Sequence, residues 1–169
     1  MDKCSLLHVG CGSEPLPEYM SGFAETRLDI NPDTKPDIVA SMLDLGDIGP
    51  FDAIFCSHAL EHLFPHQVET AIREFYRVLK PGGYALVFVP DLEGVKLSDD
   101  VLFMAPSGPI TGRDLIYGHT GYLRGGNEYM AHRTGFTSHM LKKAFMLEGF
   151  DTVQVRRLEP FNLMAVALK

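Results

Sequence analysis

Short apolar runs of strand length, each closed by a turn signal, recur along the first half of the chain, with one amphipathic helical pattern before the last of them. The runs cover residues 6–9, 27–30, 37–40, 51–56 and 84–89. This order predicts an α/β protein, since strands interleaved with helix pack as a largely parallel sheet. The fifth run shows no polar alternation, as expected of a strand buried on both faces. Val68, Ile72, Phe75 and Leu79 repeat at helical spacing with Glu69, Arg73, Glu74 and Arg77 between them, and Pro81-Gly82-Gly83 is expected to stop that helix. A second helix is predicted from the N-cap Thr137 through Leu141, Ala144, Phe145 and Leu147 to Gly149. Residues 153–158 and 163–168 read as two closing strands, joined like a hairpin through Glu159-Pro160-Phe161-Asn162.

At 169 residues, one core can bury roughly 70% of the unfolded chain's surface, so residues 1–169 read as a single domain. No apolar stretch approaches the ~20 residues of a membrane span. Asp2 and Lys3 lead straight into the first strand, so neither a signal nor a transit peptide is expected. Cys4, Cys11 and Cys56 are odd in number and lack metal-ligand spacing, which fits a reducing cytoplasm. With 22 acidic against 15 basic side chains and a net charge of -7, the chain is poorly suited to a nucleic-acid backbone. Residues 91–135, rich in glycine with little periodicity, are expected to be an acceptor-side segment or lid, because long loops in compact domains are usually functional or mobile.

Gly10-Cys11-Gly12, directly after the first strand, suits a backbone that approaches a ligand closely, although an ordinary tight turn would look the same. Asp29 follows Gly10 by 19 residues, the position from which a strand-end carboxylate accepts from ribose hydroxyls. A dinucleotide loop would next need a third glycine opening a helix N-terminus onto a pyrophosphate. That place holds Pro15, which has no N–H, preceded by Glu14, which repels phosphate. The loop therefore suits a nucleoside without phosphates and disfavours a nicotinamide cofactor.

These residues resemble a family. Leu6-Leu7-His8-Val9-Gly10-Cys11-Gly12 is similar to the first motif of class I S-adenosylmethionine-dependent methyltransferases of the type 11-like group. Residues 51–63 resemble their fourth-strand motif, and Arg77-Val78-Leu79-Lys80-Pro81-Gly82-Gly83 the segment entering their fifth strand. The resemblance implies a three-layer Rossmann-like α/β sandwich, with a mostly parallel seven-stranded sheet whose last strand is antiparallel. It implies S-adenosyl-L-methionine as cofactor, with Gly10 and Gly12 under its methionine part and Asp29 on its ribose. His8, Cys11, Ile30, Ser41, Met42, Asp44, Cys56, Ser57 and His58 are expected along the rest. His8 and Ser41 depart from the pattern, each standing where an Asp is common, so adenine would rest on the Ser41 hydroxyl, the Met42 backbone or Asp44. Only five residues precede Leu6, so residues 91–135, a second copy or a partner subunit would have to cover the cofactor.

Methyl transfer needs a base only when the acceptor loses a proton. His58, after the fourth strand, is the best-placed candidate, as imidazole takes up protons near neutral pH. His119 and His132 in the glycine-rich segment and Asp91 at the end of the fifth strand are further candidates, and Arg133 in the same segment suits a polar acceptor. No metal is expected: Pro65 interrupts the His58, His62, His66 spacing, and Glu61 does not complete an H-E-x-x-H pattern. The acidic balance points to a small-molecule or glycan-like acceptor. The competing reading is a non-catalytic S-adenosylmethionine-binding subunit of the same fold.

Overall fold

A computed structural model describes residues 3–169. Seven strands form one sheet: β1 (Ser5–Val9), β2 (Ala24–Asp29), β3 (Ile38–Val39), β4 (Phe51–Ser57), β5 (Leu79–Pro90), β8 (Thr152–Leu158) and β9 (Asn162–Leu168). Their order is β3-β2-β1-β4-β5-β9-β8. The pairs from β3 to β5 are parallel, and β9 lies antiparallel between β5 and β8. The chain passes from β1 to β2 on one side and later crosses to β4 on the other. This reversal opens a crevice at the carboxyl ends of β1 and β4, where open α/β sheets bind ligands.

α1 (Pro65–Val78) forms because its start and its buried face are both written locally. Pro65 occupies the first turn, where its missing N–H costs nothing, and Gln67 Oε1 accepts from the Phe64 N–H at 3.0 Å. Val68, Ala71, Ile72, Phe75 and Val78 face the sheet beside Leu141 and Phe145 of α4 (Ser138–Leu147). Phe75 is fully buried, so Phe75→Ala should lower unfolding stability by about 3–5 kcal/mol in a urea titration.

The helix ends at Val78, and β5 begins at Leu79, before Pro81-Gly82-Gly83. The glycines lie inside the strand, at a register shift opposite residues 51–53. Gly82 N–H donates to Lys169 O, and Lys169 N–H donates to Gly83 O, both at 2.9 Å. Pro81 keeps Lys80 out of helical geometry but does not place the stop, because Leu79 is already extended at φ -81° and ψ 143°.

The sheet's two faces are covered unequally. Leu7, Val9, Ile54 and Cys56 pack under α1 and α4, whereas Leu6, Ala53, Phe55 and Leu86 pack against Leu16, Met20 and Phe23. The layer on that second face is thus a loop with one short 3-10 turn, Glu18–Met20, in place of a helix.

Residues 91–135 hold more structure than the predicted loop. They form a hairpin, β6 (Val101–Ala105) with β7 (Gly108–Thr111), then α2 (Gly112–Tyr117), α3 (Thr120–Arg124) and a 3-10 turn at Glu128–Met130. Each element is too short for a periodic signature. Asp114 ties them together, accepting from the hydroxyls of Thr111 at 2.6 Å and Thr120 at 2.7 Å. Burial pushes its carboxyl up, but these bonds prevail and hold it well below the usual carboxylate range.

Candidate functional site

The glycine loop is pinned from the side of β2. Leu28 O accepts from Gly10 N–H at 2.8 Å and from Cys11 N–H at 3.2 Å. Asp29 Oδ2 accepts from Gly12 N–H and Oδ1 from Asn31 N–H, both at 2.8 Å. The carboxylate therefore fixes the loop's shape while lone pairs on both oxygens remain for a ligand. Arg27 braces the same loop, donating to Gly12 O and Glu14 O at 2.9 Å each. Sequence reasoning missed Arg27, because no motif marks a side chain whose partners are backbone carbonyls of another segment.

The two glycines do different work. A Cβ at Gly10 would lie 2.5 Å from Ala59 Cβ, so this glycine admits the turn after β4 and not a ligand. A Cβ at Gly12 meets no protein atom within 4 Å, and Gly12 lines open cavity. Both have positive φ, 64° and 49°.

The cavity holds about 730 Å³ at the carboxyl ends of β1, β2 and β4. Of the predicted cofactor residues, His8, Gly10, Cys11, Gly12, Asp29, Ile30, Ser41, Met42, Ser57 and His58 all line it. Cys56 and Asp44 do not. Strand alternation turns Cys56 under α1 with Ile54, away from Phe55 and Ser57, and burial drives its thiol well above the ordinary cysteine range. Asp44 is exposed, and its Oδ1 accepts from Gly46 N–H at 3.0 Å to close a turn. Ser41 Oγ accepts from Leu43 N–H at 3.2 Å.

Tyr122, Asn127, Tyr129, Met130 and Arg133 line the cavity opposite β1 and β4, so this chain's own glycine-rich segment supplies the outer wall. Two candidate bases on that segment are placed otherwise. His119 caps α3, its Nδ1 accepting from Gly121 N–H at 3.2 Å. His132 lies behind the cavity wall, its Nδ1 at 2.8 Å from Leu115 O. Asp91 is buried outside the cavity, in an ion pair with Arg157 at 2.6 Å.

His8 is 3% exposed and pairs through Nδ1 with Glu25 Oε1 at 2.7 Å. Burial lowers its pKa, outweighing Glu25.

His58 is the candidate base that reaches the cavity. It sits at φ 52°, a conformation non-glycine residues seldom adopt, and its N–H donates to Phe88 O at 2.9 Å. Its Nδ1 lies 3.3 Å from Oε1 of Glu61, whose side chain is only 2% exposed. Burial pulls the imidazole's pKa down, but the Glu61 carboxylate more than compensates and the net shift is upward.

Glu61, His62 and His132 each place one ligating atom within 4.8 Å of the others. Donors around a tetrahedral zinc ion stand closer, about 3.3 Å apart for bonds near 2.0 Å. Both ring nitrogens of His62 face carbonyl oxygens, Ala131 O from Nδ1 and His58 O from Nε2, each at 3.1 Å. The cluster as built is a buried carboxylate among imidazoles.

His132 gives the site a pH signature. Burial lowers its pKa below 6.5, outweighing Glu61. The unfolded chain therefore takes up this proton first, and the stability held above about pH 6.5 is lost as pH falls through the folded value. His132→Gln should make urea midpoints less sensitive to a change from pH 7.5 to 5.5 than those of the wild type.

Residues 7–87 match the family model described as a methyltransferase domain. No curated protein sequence matches. A structure of an S-adenosylmethionine-dependent methyltransferase from Mesorhizobium loti superposes with a TM-score of 0.70 at 17% identity, over 99% of this chain and 92% of that one. A SAM-dependent methyltransferase from Archaeoglobus fulgidus gives 0.70 at 17% identity, over 99% and 86%. The Burkholderia thailandensis 1,6-didemethyltoxoflavin-N1-methyltransferase, with bound 1,6-didemethyltoxoflavin and S-adenosylhomocysteine, gives 0.65 at 17% identity, over 99% and 72%. At these identities the likeness is one of fold.

Proposed function

We propose that the chain, whose residues 7–87 match the methyltransferase domain model, binds S-adenosylmethionine in the β1–β2–β4 cavity and methylates a small, polar acceptor. The observation that carries this reading is the joint placement of Gly12 and Asp29. An open space beside a positive-φ glycine is bounded by a carboxylate already oriented by two backbone N–H groups. A nucleoside ribose fits that pair. Phosphates do not, because Glu14 and Pro15 line the cavity where no helix N-terminus offers N–H groups.

When bound, S-adenosylmethionine supplies a methyl group on a cationic sulfur, which leaves as a neutral thioether. Gly12 would carry the methionine part, Asp29 would hold the ribose hydroxyls, and Ser41 and Met42 would meet the base. His58 takes the acceptor's proton, and most of the remaining rate comes from holding the acceptor in line. Arg133, whose guanidinium has no carboxylate partner among the described residues, faces the acceptor together with Tyr122 and Tyr129. That wall suits an oxygen-rich small molecule or a glycan-like one.

No helix is long and apolar enough to cross a membrane among the described residues. Cys4, Cys11 and Cys56 are free thiols and Cys4 is exposed, which suits a reducing compartment such as the cytoplasm.

Calorimetry with S-adenosylmethionine, S-adenosylhomocysteine and NAD tests the reading. Binding of the two sulfur nucleosides and not of NAD is expected, and failure to bind either one overturns it. Binding without turnover on a broad panel of small polar acceptors would instead favour a non-catalytic subunit.

A further inference from the structure

Both carboxylate oxygens of Glu61 are buried without a hydrogen-bond partner. A carboxylate withdrawn from water in this way survives as an anion only beside positive charge or donors. Three imidazoles converge on it. His58 reaches it at 3.3 Å, while His62 and His132 each place a ring nitrogen within 4.8 Å. His62 faces a carbonyl with each nitrogen, and only the doubly protonated ring donates to both. His132 gives Nδ1 to Leu115 O. His58 and His62 both line the cavity, but both His62 nitrogens face carbonyl oxygens, whereas His58 turns Nδ1 to Glu61 and has no backbone carbonyl on Nε2 among the described residues.

We propose that Glu61 is a positioning residue for methyl transfer: its buried charge, 3.3 Å from Nδ1, favours the hydrogen of neutral His58 on that nitrogen and so leaves the Nε2 lone pair to the acceptor. This rests on reading the cavity as the S-adenosylmethionine site. In the step itself the acceptor's lone pair bonds to the methyl carbon and displaces the thioether, which keeps the carbon–sulfur electron pair. The acceptor's proton passes to Nε2, and the imidazolium so formed is stabilised by the Glu61 charge behind it. A histidine free in water prefers the opposite tautomer, so the carboxylate decides which nitrogen is the base. The left-handed backbone at His58 serves the same end, since it turns the ring back onto the Glu61 side chain three residues ahead.

The other titratable or charged groups near the pair are His62, His132 and Cys56 around Glu61, and Arg133 on the facing segment. Burial alone would raise the Glu61 pKa, but the imidazoles of His58, His62 and His132 keep it below the usual value. The carboxylate therefore stays ionised at neutral pH, as the arrangement needs.

The test is ¹⁵N–¹H NMR of the imidazoles in the full chain, stepped through pH, on wild type and Glu61→Gln. Neutral wild-type His58 is expected in the Nδ1–H form. In Glu61→Gln it should relax toward Nε2–H and titrate at lower pH. An Nε2–H His58 in the wild type overturns the proposal, as does a tautomer and midpoint unchanged in Glu61→Gln. Should Glu61→Gln fail to fold, the wild-type tautomer decides alone. Stoichiometric Zn²⁺ binding that perturbs His62 and His132 would also overturn it, by making the cluster a metal site. Calorimetry with S-adenosylhomocysteine on the same samples separates the two readings. Binding with no Glu61 effect removes this inference alone, whereas a Glu61 effect without binding removes the cofactor reading and the catalytic role with it.

Discussion

Asp29→Ala is expected to weaken S-adenosylhomocysteine binding by at least ~100-fold, measured by calorimetry. The carboxylate is 9% exposed and accepts from Gly12 N–H and Asn31 N–H, and the proposed cofactor adds two ribose hydroxyls. A hydrogen bond to a charged group contributes about 1.5–3 kcal/mol, so losing two corresponds to a factor of roughly 10² or more. The substitution also leaves two backbone donors without their acceptor, and stability should fall by about 2–4 kcal/mol. Saturating ligand should stabilise the wild type strongly and the variant barely, because ligand linkage requires binding. Equal ligand-induced shifts in melting temperature would show that Asp29 only braces the loop.

Gly10→Ala and Gly12→Ala should separate folding from binding. At Gly10 the new methyl meets Ala59 Cβ at 2.5 Å on a backbone with φ 64°. Left-handed strain of about 1–2 kcal/mol adds to overpacking of about 1–3 kcal/mol. A loss of roughly 2–5 kcal/mol is therefore expected in chemical denaturation. At Gly12 the methyl meets nothing within 4 Å, so only the backbone strain of about 1–2 kcal/mol applies. Binding should reverse the ranking of severity. Gly12→Ala should cost more than tenfold in S-adenosylhomocysteine affinity while the protein stays folded, since its methyl enters the ligand's space. A Gly12→Ala protein that binds like the wild type would place the ligand elsewhere.

The sequence showed the platform well because each of its signals is local. Strand-length apolar runs predicted β1 through β4 to within three residues, β5 begins five residues before its run, and Thr137 marked the start of α4, where it caps Ser138–Leu147. Gly10, Gly12, Asp29 and His58 reached one cavity because all four sit at carboxyl ends of strands whose order the α/β pattern implies. Other residues were misplaced for want of information that spacing does not carry. Cys56 was expected along the cofactor, yet a period of two turns it under α1, away from Phe55 and Ser57. His119 and His132 shared a segment of suitable chemistry, but helix capping took one and a buried carbonyl the other.

The sequence alone determined the class of sheet and the glycine turn and acid that suit a nucleoside without phosphates. These follow from backbone chemistry within a few residues: proline without an N–H, glycine at positive φ, and apolar periodicity. Tertiary structure decided that Gly10 clears Ala59 while Gly12 faces open space, and that Arg27 braces the loop carbonyls. It also decided that Glu61, silent in the motif, stands buried behind His58 with two further imidazoles around it. Those facts depend on segments up to about 70 residues apart meeting in one desolvated place, as when His62 Nδ1 meets Ala131 O. Desolvation is what gives a carboxylate the strength to set its neighbour's proton.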